Sequence, residues 1–324
     1  MRFSILDFAT GLVVFAAVSL LTESSSLVAQ SVDWGGSLRG YQFFRVEDLP
    51  EVLQVTRWDS EYLSSRFTFD TEFIPQLEME THLVMDFLSP PGSSAANVAT
   101  ATRGSVFLPL QHDFVDNEDL QLIGSFDRLN LQLNLGSWRI VAGRQAIGWG
   151  VSYFWPAIDL FSSFSPQRID RDYKPGVDAI RVTAPLGTYS EIQVVGAILG
   201  SSLSRDGSLA AQARLNLGRF DLGLMGGKFH TDTVAGMFLT TGVGRSSVRG
   251  EVTWTDSGDP VDAQFGRGQF WRGSLGLDRQ LNPEIGVTVE LSYNGYGTSD
   301  ASEYALLSLS DRVQRGEMNA LGKY

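Results

Sequence analysis

Residues 127–135 read Asp-Arg-Leu-Asn-Leu-Gln-Leu-Asn-Leu, with leucine at every second position and an amide between. A period of two puts the leucines on one face of a β-strand and the amides on the other. Leucine is not a favoured strand residue, so the medium that this face meets selects it rather than local propensity. The pattern recurs. Leu77, Met79, Leu83, Met85 and Phe87 alternate with Glu78, Glu80, His82 and Asp86, Thr81 being the exception on the apolar side. Leu209, Ala211, Ala213, Leu215 and Leu217 alternate with Gln212, Arg214 and Asn216. Further repeats lie at 248–254, 271–278 and 285–294, with weaker ones at 61–70, 177–184 and 190–199. About thirteen strands are predicted, most of roughly ten residues, the length a tilted strand needs to cross hydrocarbon. Strands of soluble proteins are shorter, about five or six residues.

In a soluble sandwich the leucines would form the core; in a membrane barrel they would meet lipid while the amides lined a wet interior. The connections choose between the two. Tight turns are predicted at Ile74-Pro75, Gly136-Ser137, 185–187, Gly218-Arg219, 244–246 and 280–283. Longer links fall between them at 46–60, 88–118, 149–176, 200–207, 256–266 and 295–316, and the short link at 230–233 alone breaks the rhythm. Alternation of short and long is the habit of an outer-membrane barrel, with periplasmic turns and larger extracellular loops. A sandwich has no reason for it. The seven tryptophans, at 34, 58, 138, 149, 155, 254 and 271, fall near strand ends or in loops, as interfacial aromatic girdles do. The fold class expected is therefore all-β, an antiparallel transmembrane up-and-down barrel.

Composition agrees. Thirty-four glycines suit a chain of many turns, and no internal apolar run is long enough for a membrane helix. A formal net charge of -12 argues against nucleic acid as a partner. Residues 1–29 read as a signal peptide: Arg2, an apolar run from Phe8 to Leu21, and a small-residue cleavage site at Leu27-Val28-Ala29. The mature barrel would run from 30 to 324. Export without a single cysteine fits a bacterial envelope protein that does not rely on disulfides.

Taken together, the pattern over 31–324 resembles the porin-like outer-membrane β-barrels of Gram-negative bacteria. The segment GRQAIGWGVSYFWPAIDLFSSFSP at 143–166 is similar to the strand and following long loop of porin-type barrels. That resemblance implies an outer-membrane location and brings no catalytic residue. If the N-terminus starts in the periplasm, the strand at 284–294 is the thirteenth and ends outside, and 318–324 begins a return strand too short to span. About fourteen strands are thus expected, from a barrel of sixteen or more that is truncated at its C-terminus.

With the leucines outside, Arg66, Glu78, Glu80, Arg128, Arg181, Glu191, Arg214, Arg249, Glu251, Arg272 and Glu290 point inward and are the candidate pore-lining residues. Both signs are present, so no strong ion preference follows. The same groups could instead pair to brace the wall. The loop 149–176 is too apolar to lie free in water: Trp149, Tyr153, Phe154, Trp155, Phe161 and Phe164 accompany Asp159, Arg168, Asp170, Arg171, Asp172 and Lys174. It is expected to fold into the barrel mouth as a constriction, its aromatics on the wall and its charges toward the channel; burial against a second subunit or lipopolysaccharide is the alternative. The loop at 88–105 is low-complexity.

Enzyme chemistry finds little support. His82, His112 and His230 have no metal-ligand spacing, and neither a G-x-S-x-G elbow nor a phosphate-binding glycine loop occurs. No metal or cofactor is expected. The function expected is passive diffusion of small polar solutes, in contact with outer-membrane lipid and lipopolysaccharide; a homo-oligomer is compatible. The alternatives are a non-conducting barrel for structure, adhesion or assembly, and a barrel-embedded lipid hydrolase with His82 as its base.

Overall fold

The computed structural model describes residues 29–45, 58–89, 106–161, 172–200, 202–264, 266–304, 307, 311–314 and 322–323. The strands are β1 (Ser31–Arg45), β2 (Trp58–Ile74), β3 (Leu77–Ser89), β4 (Gln111–Asp116), β5 (Gln121–Leu135), β6 (Trp138–Gln145), β7 (Val177–Pro185), β8 (Glu191–Ile198), β9 (Gly207–Leu217), β10 (Phe220–Phe229), β11 (Asp232–Val243), β12 (Ser246–Asp256), β13 (Gln269–Gln280) and β14 (Gly286–Asn294). All pair antiparallel in one sheet that follows chain order, except that β4 leaves the meander and pairs only with β5. Among the described residues β1 and β14 are not paired to each other.

Among the described residues the fourteenth strand is β4, inside the long link expected at 88–118. Of the segment 318–324 only 322–323 are described, and Gly322 makes a single parallel bridge to Thr298. The signal peptide and the low-complexity stretch lie outside the described residues, apart from Ala29 and the strand residues Leu88 and Ser89. The expected tight turns all occur, and the link that breaks the rhythm is a two-residue one between β10 and β11, where His230 takes a positive φ of 52°.

Register fixes the faces. Glu80 lies opposite Asn130, which lies opposite Gly143 and through it Ala179 and Ala197. Arg249 likewise faces Thr240 and Gly276, in a row that continues to Glu290. Every charged residue expected inward falls on this one face. The other face carries Leu131, Ile180, Leu209, Leu224, Leu275 and Leu291, each more than one third exposed. An apolar surface running across so many strands is far larger than the patches soluble monomers show. It is the surface that hydrocarbon would cover. Trp254 and Trp271 form a cross-strand pair at the loop end of β12–β13, while Trp138 starts β6 at the turn end, so aromatics border the belt on both sides.

This assignment can be tested directly. Leu131→Arg is expected to destabilise the vesicle-inserted protein by ~2–4 kcal/mol, while Gln132→Arg on the opposite face changes it by less than ~1 kcal/mol. Urea titrations giving the two variants equal losses would mean that the faces do not differ.

The inner face is not uniformly polar. On β7–β11, Val177, Ala179, Val195, Ala197, Ala210, Met225, Phe229, Val234 and Phe238 form a buried cluster closed by Ile147, Trp149, Ile158 and Phe161 of the following loop. The loop after β6 thus supplies one side of an apolar core inside the sheet.

Candidate functional site

Between β6 and β7 the chain leaves the wall and crosses the inner face. Glu251 of β12 accepts hydrogen bonds from the backbone N–H groups of Val151 at 2.7 Å, Ser152 at 3.3 Å and Ile158 at 3.2 Å. Glu290 of β14 accepts from Tyr153 at 2.9 Å, Phe154 at 3.2 Å and Trp155 at 2.9 Å. Ser152 Oγ meets Ser274 Oγ at 2.5 Å, and Arg249 lies over the Tyr153 ring at 3.9 Å. Two carboxylates on the far strands therefore hold six amide groups of the loop.

That contact requires a curled sheet. From β6 to β12 are six strand spacings of about 4.8 Å, an arc of ~29 Å. Six residues from Gln145 to Val151 span at most ~21 Å. To β14 the arc is ~38 Å, against ~28 Å of chain from Gln145 to Tyr153. The loop is a chord across the concave side.

The chain then returns. Asp159 and Lys174 make a salt bridge beneath the loop, and burial holds the Lys174 ammonium below the ordinary lysine range against the pull of Asp159. The outgoing end packs on the first strands: Asp172 pairs with Arg39 of β1 at 2.7 Å, Arg66 lies 4.0 Å over the Tyr173 ring, and Gly176 N–H donates to Asp127 at 3.1 Å. Arg128 donates to the Lys174 carbonyl. Asp127 reaches inward beside Arg128 because β5 carries a bulge there: Arg128 opposes His82, the next pair is Phe126 with Leu83, and Asp127 is skipped. Arg66 closes this group by donating to Asp127 at 2.6 Å.

The predicted site residues divide accordingly. Arg66, Arg128, Arg249, Glu251 and Glu290 hold the loop. Glu80 receives Asn130 at 2.8 Å and stands 4.0 Å from Arg128, while Glu78 receives Asn134 at 3.3 Å. Arg181 donates to the Ala146 carbonyl, Glu191 receives Gln193, Arg214 stands beside the Phe238 ring, and Arg272 stands beside that of Phe270. All face inward, but Arg128 and Arg249 are buried in ion pairs and Glu251 is buried under the loop amides, so these three carry the wall and the loop rather than lining open water. The loop expectation also needs correction. Asp159, which is buried, pairs with Lys174 instead of facing a channel, and of the described aromatics only Trp149 and Phe161 pack on the wall as expected, whereas Phe154 and Trp155 are exposed and Tyr153 covers Arg249; Phe164 lies outside the described residues. Arg168, Asp170 and Arg171 lie outside the described residues.

Open space remains at the turn end. A cavity of about 410 Å³ is lined by Asp33, Asp70, Glu72, Glu78, Glu80 and Gln132 among others. Asp33, Asp70 and Glu80 lie directly opposite one another on β1, β2 and β3, as do Glu72 and Glu78 on β2 and β3. Like charges in that relation destabilise a sheet unless water and ions screen them. No group of side chains suited to a metal ion occurs among the described residues. His82 meets Arg66 at 3.2 Å, Glu80 at 3.6 Å and the edge of Tyr173, and among the described residues no serine is hydrogen-bonded to it.

Sequence reading missed Arg144 and Gln145, although both lie in the segment it singled out. Gln145 donates to the carbonyls of Val141 and Ala179 at 3.0 Å each, pinning the last residue of β6 before the chain turns inward. Arg144 points to the other face and pairs with Asp178 of β7 at 2.9 Å. A periodicity argument has no place for an arginine on the leucine face.

What the fold and site define is the wall of an antiparallel β-barrel with a loop fastened across its concave side. No family model and no curated protein sequence matches the chain. Among solved structures it is similar to OccAB4 of Acinetobacter baumannii, with 8% identity, 83% of this chain and 69% of that one covered, and a TM-score of 0.46. OpdK of Pseudomonas aeruginosa, in a structure with vanillate, shares 13% identity over 82% of this chain and 67% of that one, with a TM-score of 0.49. A mutant porin of Rh. blastica shares 11% identity over 82% and 95% of the two chains, with a TM-score of 0.40.

Proposed function

We propose that the chain is a porin-type channel of the bacterial outer membrane, through which small polar solutes diffuse past a loop that narrows the interior. The observation that carries this reading is the loop itself, anchored by Glu251 and Glu290 across the concave face, with a carboxylate-lined space at the turn end of β1–β3. The exposed apolar belt is the lipid contact, and the screened carboxylates on β1–β3 are a wet entrance that favours cations at the turn end. No step of covalent chemistry is required of any residue. Lipopolysaccharide and lipid surround the belt.

The apolar cluster under the loop supports a second reading, a barrel whose interior is filled and does not conduct. Planar-bilayer recordings separate the two. The channel is expected to give repeated open steps, and deletion of residues 156–172 to raise their conductance. Silence from folded, inserted protein would establish the non-conducting barrel, and an unchanged step after deletion would remove the loop's narrowing role.

A further inference from the structure

On the outer face, one cross-strand row runs Ile180, Gly196, Leu209 and Lys228, from β7 to β10. Ile180 and Leu209 are 58% and 63% exposed and flank Gly196. A Cβ on Gly196 would meet no atom within 4 Å, so neither packing nor backbone conformation demands glycine there. The result is a furrow of about 640 Å³, bounded at the loop end by Phe107 and by Leu203 of the short helix Leu203–Asp206. Lys228 lies at one end of the row on this apolar face, exposed, and no carboxylate pairs with it among the described residues. A cation without a counter-ion beside a greasy furrow complements an acyl chain that ends in a phosphate.

We propose that this furrow binds one phosphorylated glycolipid of the outer leaflet, with an acyl chain along Gly196 between Ile180 and Leu209 and a phosphate oxygen on Lys228 Nζ. The inference rests on the membrane reading above and adds a specific site to it. Protein in non-ionic detergent is titrated with lipid A or with phosphatidylcholine, and the lipid retained is counted by native mass spectrometry. Samples are first chosen by the heat-shifted band of a folded barrel. Wild type is expected to keep one lipid A and little phosphatidylcholine. Lys228→Gln should weaken retention about tenfold, the loss of one charge-assisted bond. Gly196→Trp should abolish it by filling the notch, with Gly196→Val as the smaller change if the first does not fold; Leu277→Trp, on β13, should leave it unchanged. Equal retention by wild type, Lys228→Gln and the Gly196 variants, or equal retention of both lipids, overturns the proposal: a lysine that only reaches for the interface gives that result. Mature protein that stays soluble without detergent overturns the membrane reading instead, so the two failures are told apart.

Discussion

Replacing both Glu251 and Glu290 by alanine is expected to free the loop between β6 and β7 while leaving the strands intact. The two carboxylates receive six backbone N–H groups, all within 3.3 Å. Hydrogen bonds to charged groups contribute ~1.5–3 kcal/mol each at the level of net stability, and the three at one carboxylate share a single charge. An anchoring free energy of roughly 3–6 kcal/mol for the pair follows, at least ~100-fold in the population of the displaced loop. Chymotrypsin cleavage after Tyr153 or Phe154 reads that population, because the N–H groups of the two scissile peptides, those of Phe154 and Trp155, are held by Glu290 in the folded position. Conductance should rise and become noisier in the same variant. Glutamine at both positions keeps an oxygen that accepts but loses the charge, so it should fall between wild type and alanine. Cleavage of the alanine variant at the wild-type rate would show that the apolar contacts of Trp149, Ile158 and Phe161 hold the loop alone.

Glu251 and Glu290 were legible as inward residues, since a period of two fixes the face once the leucines are placed outside. Their partners were not. The groups they hold are backbone amides, which every residue carries, so nothing in the identity of Val151 or Tyr153 marks them as ligands. The weak alternation at 177–184 and 190–199 did hold information. There Val177, Ala179, Val195 and Ala197 face inward, while Ile180, Ile192 and Val194 face outward. Both faces are apolar because the loop packs on the inner one. Alternation that fades within a barrel thus marks where the interior is dry, just as uninterrupted apolar strands mark a sheet covered on both sides. Strand β4 escaped notice for a different reason: its six residues, Gln-His-Asp-Phe-Val-Asp, are mostly polar and exposed on both faces.

β4 leads to the second large effect, at Arg144. Strand β6 ends at Gln145, short of the loop end that β5 reaches, and leaves a slot in the wall beside β5. Segment 106–116 fills the slot: Phe126 N–H donates to the Leu110 carbonyl, and β4 pairs with Gln121–Ser125. Arg144 joins the parts. Its guanidinium pairs with Asp178 and donates to the carbonyls of Leu108 at 2.5 Å and Phe126 at 3.1 Å, while Asp178 accepts from Phe107 and Leu108 N–H at 2.8 Å each. Gly143, at φ 119°, sets up the strand end, since a side chain there would run into the Leu129 carbonyl. Arg144→Ala strands a buried carboxylate and is expected to cost ~3–5 kcal/mol, whereas replacing both partners, as in Arg144→Met with Asp178→Leu, should cost clearly less. Hydrogen exchange should speed up at the Phe107 and Leu108 amides in the single variant before the strands of the meander open, because those amides lose their ordered acceptor first. A loss below ~1 kcal/mol for the single variant, or a double loss equal to the sum of two singles, would mean that the pair does not couple the patch to the wall. Since one residue after Arg144 the chain turns inward, the same charge that closes the slot also fixes where the crossing loop begins.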